Sequence, residues 1–222
     1  MENTSTKEVS SSTSSLLACG IAAGPIYIAV GILQIIIRPG FDVTRHALSL
    51  MSNGDLGWIQ ISNFLLTGLL TIAFAVGIRQ LLKGQKGGTW GALLIGVYGL
   101  GLIGAGIFKA DPALGFPPGT PVDAHAISTN GLMHFVCGGI GFYAIIAACF
   151  VFARRFSSLG LAGWKWYSFI TGVLFFAAFF GIASGSGGSG PTRTFVTLGF
   201  YAAVVIIWVW LSALAFKLRA DV

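Results

Sequence analysis

Six stretches of this chain contain no Asp, Glu, Lys or Arg: 9–37, 56–78, 87–108, 124–153, 166–192 and 194–216. A hydrocarbon core about 30 Å thick is crossed by about 20 apolar residues in a helix. Each stretch is long enough, so the pattern predicts six spans at roughly 16–37, 58–81, 90–108, 131–153, 164–184 and 195–216. Unbroken apolar runs rule out the alternating pattern of a membrane barrel, and helices satisfy their own backbone in lipid. The expected fold is all-α: an integral membrane bundle of six transmembrane helices.

Composition agrees. Charged residues make up 9% of the chain and hydrophobic ones 55%, whereas a soluble domain is roughly a quarter charged. The net charge of +6 reflects orientation and not nucleic-acid binding. With the N-terminus inside, Lys7, Arg79, Lys83, Lys86, Arg154, Arg155, Lys165, Lys217 and Arg219 are cytoplasmic; Arg38, Arg45, Lys109 and Arg193 are not. The positive-inside bias therefore puts both termini in the cytoplasm of a cell (plasma or inner) membrane protein. Trp90, Trp164 and Trp166 mark the inner boundary and Trp58 the outer one.

The chain divides into a disordered polar tail at 1–15, a transmembrane domain at 16–217 and a cytoplasmic end at 218–222. The tail lacks the positive region of a secretory signal, so the first span is expected to stay attached. Cys19, Cys137 and Cys149 all fall inside spans without a CxxC spacing, which fits buried, unreactive thiols.

Asp42, Asp55, Asp111, Asp123 and all three histidines belong to the outer side. Its first two connections, 38–57 and 109–130, are long, and Pro117, Pro118 and Pro121 stiffen the second. Placed on a helix, Asp42, His46, Ser49 and Asn53 share one face of Phe41–Gly54, with Val43, Ala47, Leu50 and Met51 opposite. A short amphipathic interfacial helix is the expectation. Its polar face either meets water and headgroups or sets a carboxylate, an imidazole and a hydroxyl in nucleophile order. His46-Ala47-Leu48-Ser49 is echoed by His125-Ala126-Ile127-Ser128, a weak internal repeat.

Asp111 ends the third span and His134 begins the fourth, so adjacent helices bring them together. They are the candidate acid–base pair, with His46 and Ser49 as further catalytic candidates. Asn63, His125 and Arg193 are candidate substrate contacts. Three histidines and a water form one kind of catalytic zinc site. His134, His125 and His46 are thus the candidate metal ligands and zinc the candidate cofactor, although no HxxxH or HExxH spacing supports it. No acidic or basic residue sits at the middle of any span, which weighs against a proton-coupled transporter.

At these residues the chain resembles the membrane-protein family known as domain of unknown function 998. The resemblance rests on HALSLMSNGDLGWIQISNFLLTGLL, GLIGAGIFKADPALGFPPGTP and STNGLMHFVCGGIGFYA, and spans roughly 20–215. It includes an aromatic–x–x–Asp–Pro motif (Phe108, Asp111, Pro112) and a Gly–x–x–His motif (Gly131, His134). It implies a bacterial or archaeal six-helix membrane protein and supplies no agreed activity.

Three functions remain open: binding of a membrane lipid or small amphiphile in an outer polar pocket, a membrane-embedded and metal-dependent hydrolase, or a transporter of an uncharged solute.

Overall fold

The computed structural model describes residues 11–124, 127–184 and 190–220. It contains α1 (Ser11–Ile37), α2 (Gly57–Leu81), α3 (Trp90–Ile107), α4 (Thr129–Ser158), α5 (Ala162–Ala183) and α6 (Pro191–Ala220), with a 3-10 helix at Leu48–Ser52. All six α-helices are long and apolar enough to cross a membrane. Exposed Ile36, Leu69, Leu100, Phe180, Phe195 and Phe216 clothe the outside of the bundle in apolar surface, as contact with lipid tails requires.

Each helix packs mainly on its neighbours in sequence, and α6 closes onto α1. The result is a ring of six. Glycine permits its tightest contacts. A Cβ on Gly101 would lie 2.8 Å from Gly141 Cα and 2.7 Å from the Cys137 carbonyl, so α3 and α4 touch backbone to backbone. Gly68 and Gly99 bring α2 and α3 together in the same way. Lipid removes the hydrophobic drive between helices, leaving such close packing and polar ties to hold them. Trp210 donates to Ser168 at 3.0 Å across α5 and α6, and Thr13 to Gln80 at 2.8 Å across α1 and α2. The hydroxyls of Thr67 and Thr71 bond back to the carbonyls four residues earlier.

Two boundaries differ from expectation. Helix α1 is already formed at Ser11, ahead of the expected span, with the Ser15 hydroxyl bonded to the Ser11 carbonyl at 3.1 Å; residues 1–10 of the segment read as tail lie outside the described residues. The segment 41–54 is not one amphipathic helix. It folds as turns followed by the 3-10 helix Leu48–Ser52, whose own Leu50, Met51 and Ser52 are buried. The Asp42 carboxylate takes the backbone N–H of Thr44 at 2.9 Å and its hydroxyl at 2.6 Å, and this local turn competes with helix.

The packing predicts a contrast. Gly101→Ala should lower thermal stability in detergent by about 1–3 kcal/mol through overpacking. Gly199→Ala, whose Cβ meets nothing within 4 Å, should be neutral or stabilising by up to about 1 kcal/mol.

Candidate functional site

The two long connections and the ends of α1, α2, α3 and α4 meet at one end of the ring, called the cap end here. Arg38, one residue beyond α1, is buried and donates to the carbonyls of Met51, at 3.2 Å, and of Asn53. Its guanidinium also lies 5.3 Å from the centre of the Phe116 ring. Asn53 in turn donates to Leu50 and Ala110 carbonyls at 3.2 and 2.9 Å, so the first connection is bonded to the second. Burial pulls the Arg38 pKa below its ordinary value, and the nearby Asp55 charge opposes that.

His46 is fully buried between the rings of Phe41 and Phe116. Its Nδ1 accepts from the Asp42 backbone N–H at 2.9 Å, and its Nε2 donates to the Leu114 carbonyl at 3.0 Å. Both nitrogens are spent on main chain, leaving neither for a metal or for the Ser49 hydroxyl. The Asp42 carboxylate faces Thr44 and Arg45, not the imidazole. In this structure Asp42, His46 and Ser49 do not form a nucleophile relay, and His46 acts as a rivet between the two connections.

Asp111 and His134 do meet at one corner, where α3 hands over to α4. The Asp111 carboxylate accepts from Ser128 N at 2.8 Å and from the Ser128 hydroxyl at 2.5 Å; that hydroxyl accepts from Gly131 N at 3.0 Å. A negative group there suits the positive end of α4. Any Cβ on Gly131 would collide with the carboxylate, so this joint requires glycine. His134, one turn along, donates from Nδ1 to the carbonyls of Phe108 at 2.8 Å and Ala105 at 3.1 Å. The Ala105 carbonyl belongs to the last turn of α3 and that of Phe108 to the residue just beyond it, where backbone acceptors lack helical partners. The end of α3 is thus satisfied by His134 from α4, while Asp111 on the α3 side holds Ser128, the residue that caps α4. Asp111 and His134 share no hydrogen bond: both carboxylate oxygens are taken by Ser128 and the imidazole Nδ1 by the α3 carbonyls.

Beneath the cap lies a cavity of about 190 Å³ to which all six helices contribute. Its roof is Ala47, Leu48 and Ser49. Its walls are chiefly aromatic, with Tyr27, Phe64, Tyr98, Phe142, Phe175 and Trp208 among them. Tyr27 stacks on Trp208 at 4.7 Å, and Tyr98 leans on the same indole at 5.6 Å. His134 is 6% exposed and lines the cavity, and among the described residues no acidic one does. Tyr201, also lining it, donates to the His46 carbonyl at 2.8 Å and ties roof to wall.

One side is thinly closed. The buried residues of α5 are Ser168, Thr171, Gly172 and Phe175, so the half of this helix nearest the cap, Phe176 to Ala183, buries none. Opposite it, a Cβ on Gly138 would meet nothing within 4 Å, and one on Gly139 only the tip of Phe179 at 4.0 Å. Phe135, 64% exposed, stands at the rim.

Of the residues singled out from sequence, Ser49 and His134 face this cavity, and Asp111 supports the corner beside it. Asn63 lies behind the wall, donating to the Tyr27 carbonyl at 3.2 Å. Arg193 sits in the first turn of α6, away from the lining. His125 lies outside the described residues. Among the described residues no three His, Cys, Asp or Glu side chains gather as metal ligands would. The aromatic lining was missed from sequence, although Phe175–Phe179–Ile182 and Phe200–Val204–Ile207 repeat at helical spacing. The echo of the first connection in the second is not structural: Ser49 roofs the cavity, whereas Ser128 caps α4.

The family model described as protein of unknown function (DUF998) matches residues 21–217, and the chain belongs to that family. The matched region includes Asp111–Pro112 and Gly131–x–x–His134, the two halves of the α3–α4 corner. Neither a curated protein nor a solved structure matches the chain.

Burial holds the His46 pKa below the ordinary histidine value, partly offset by its bond to Leu114. The folded chain therefore binds this proton less readily than the unfolded chain. The stability from His46 is complete above about pH 6.5 and is lost as pH falls through the depressed value. Thermal unfolding in detergent between about pH 7 and 5 should show a decline, to which His46 contributes at most about 1.4 kcal/mol per pH unit. His46→Gln should be less stable near pH 7 and show a shallower decline.

Proposed function

We propose that this protein binds a lipid or small amphiphile in the cavity beneath its cap, and that the cap end is extracytoplasmic. The observation that carries the reading is an aromatic cavity within an apolar ring, with one buried imidazole and a rim at exposed Phe135. Ligand sites are commonly apolar concavities with a few polar groups that fix orientation. Thin closure along α5 favours a ligand that arrives from the bilayer.

Two features favour binding over the other readings. Acid–base partners must approach to about 3 Å, whereas Asp111 is engaged by Ser128 and His134 by α3 carbonyls. Passage of a solute needs a path beyond the cavity, and the other half of the ring holds fully buried Phe74, Phe152 and Trp210. The orientation is supported by the charge bias, nine cationic residues against four.

Organic extraction of protein purified in mild detergent, followed by mass spectrometry, should recover a retained amphiphile. Gly139→Leu projects a side chain into the cavity and should reduce recovery by about fivefold or more without lowering thermal stability; about 1 kcal/mol of lost affinity suffices. Equal recovery from both proteins would remove the cavity as the binding site. For the orientation, a chain with its native cysteines replaced is given one at Asp123 or at Gly84. A membrane-impermeant maleimide should label Asp123→Cys in intact cells and leave Gly84→Cys untouched; the reverse pattern would invert the assignment.

A further inference from the structure

The corner that seats His134 also sets its tautomer, and with it what the cavity accepts. Nδ1 lies 2.8 and 3.1 Å from two backbone carbonyl oxygens. A carbonyl only accepts, so Nδ1 carries the proton. In a neutral imidazole the other nitrogen, Nε2, then holds a lone pair and serves as an acceptor. His134 is a cavity-lining residue with Nδ1 turned to α3, which leaves Nε2 for the cavity's occupant.

We propose that the occupant is an uncharged amphiphile with a hydroxyl head, an alcohol and not a carboxylate or phosphate, whose O–H donates to His134 Nε2. The proposal rests on the amphiphile-binding reading and sharpens it. A carboxylate or phosphate ester presents acceptors where the imidazole also presents an acceptor. It would bring an unpaired negative charge among Phe64, Phe142, Phe175 and Trp208, with no lysine or arginine among the described lining residues. Burying a charge without a partner is far more costly than burying a hydroxyl that finds its acceptor. The Ser49 hydroxyl in the roof can donate to the alcohol oxygen, completing the head's hydrogen bonding.

Size narrows the class further. Cavities of about 150 Å³ hold a benzene ring, so about 190 Å³ takes a ring or roughly six to eight chain carbons. Two acyl chains do not fit. A longer single chain would leave between α4 and the cap-end half of α5, past Gly138 and Gly139, into the bilayer.

The test needs no alteration of the corner. Protein in an amine-oxide detergent, whose head lacks a hydroxyl, is titrated with ω-bromohexanol, its methyl ether and ω-bromohexanoate at about pH 8. Bromine quenches a nearby indole, so a ligand in the cavity dims Trp208; Trp208→Phe identifies that share of the signal. The expected result is saturable quenching by the alcohol, lost in Trp208→Phe, with the ether and the carboxylate each weaker by about tenfold. Equal affinities for all three, or tightest binding of the carboxylate, would overturn the hydroxyl preference and leave amphiphile binding standing. Absence of saturable Trp208 quenching by any of them would overturn both.

Discussion

Two helix ends tied together across one corner, by His134 from one side and Asp111 from the other, are the interaction on which the rest of this structure depends. The last turn of α3 has carbonyls with no helical donor, and the first turn of α4 has N–H groups with no helical acceptor. His134 supplies the donor to one, and Asp111 with Ser128 supplies the acceptors to the other. Near a bilayer, where unpaired backbone groups are costly, this exchange fixes how the second half of the ring leaves the first. It also fixes which imidazole nitrogen bears hydrogen. A joint required by backbone chemistry thereby defines the polarity of the cavity next to it.

The cap applies the same economy to a cation. Arg38 is surrounded by carbonyl oxygens and the face of Phe116, which lets a buried guanidinium keep several weak partners. Cation–π contact contributes about 0.5–2 kcal/mol and each charged hydrogen bond about 1.5–3 kcal/mol. His46, bonded at both nitrogens, pins the same pair of connections. Together they hold Ala47, Leu48 and Ser49 as a rigid roof, so the cavity below does not depend on slack loops for its shape. The other end of the ring has an analogous clamp. Arg155 reaches from α4 to the Lys86 carbonyl at 2.7 Å and to Gln85 at 3.1 Å, stapling the short turn between α2 and α3.

The six helices were legible because charge is excluded from lipid-facing and buried positions alike, so the gaps between charges are the spans. That same exclusion hid the cavity. When both faces of a helix are apolar, no amphipathic stripe tells Phe175 and Phe179, which face inward, from Phe176 and Phe180, which are exposed. The nearness of Asp111 and His134 was legible from adjacency along the chain, but their roles were not. Proximity says nothing of which atoms are already taken by main chain. The segment around His46 misled for a related reason: helical spacing aligned Asp42, His46 and Ser49, while Thr44 drew the carboxylate into a local turn. Arg38 was counted only as a charge, since partners made of carbonyls leave no mark in a sequence.

The closure of α6 onto α1 has a consequence for how the chain is threaded. Arg219 on α6 donates to the Ser14 hydroxyl on α1 at 3.1 Å, so the outermost turns of the first and last helices touch. An even number of spans makes this neighbourhood one-sided, and every helix has two flanking partners. The order in which the ribbon visits the staves is therefore separable from the barrel they make. A short bridge joining those turns, with the chain opened instead at Gly84 (whose Cβ would meet nothing within 4 Å), would leave the path permuted and each helix beside its former companions.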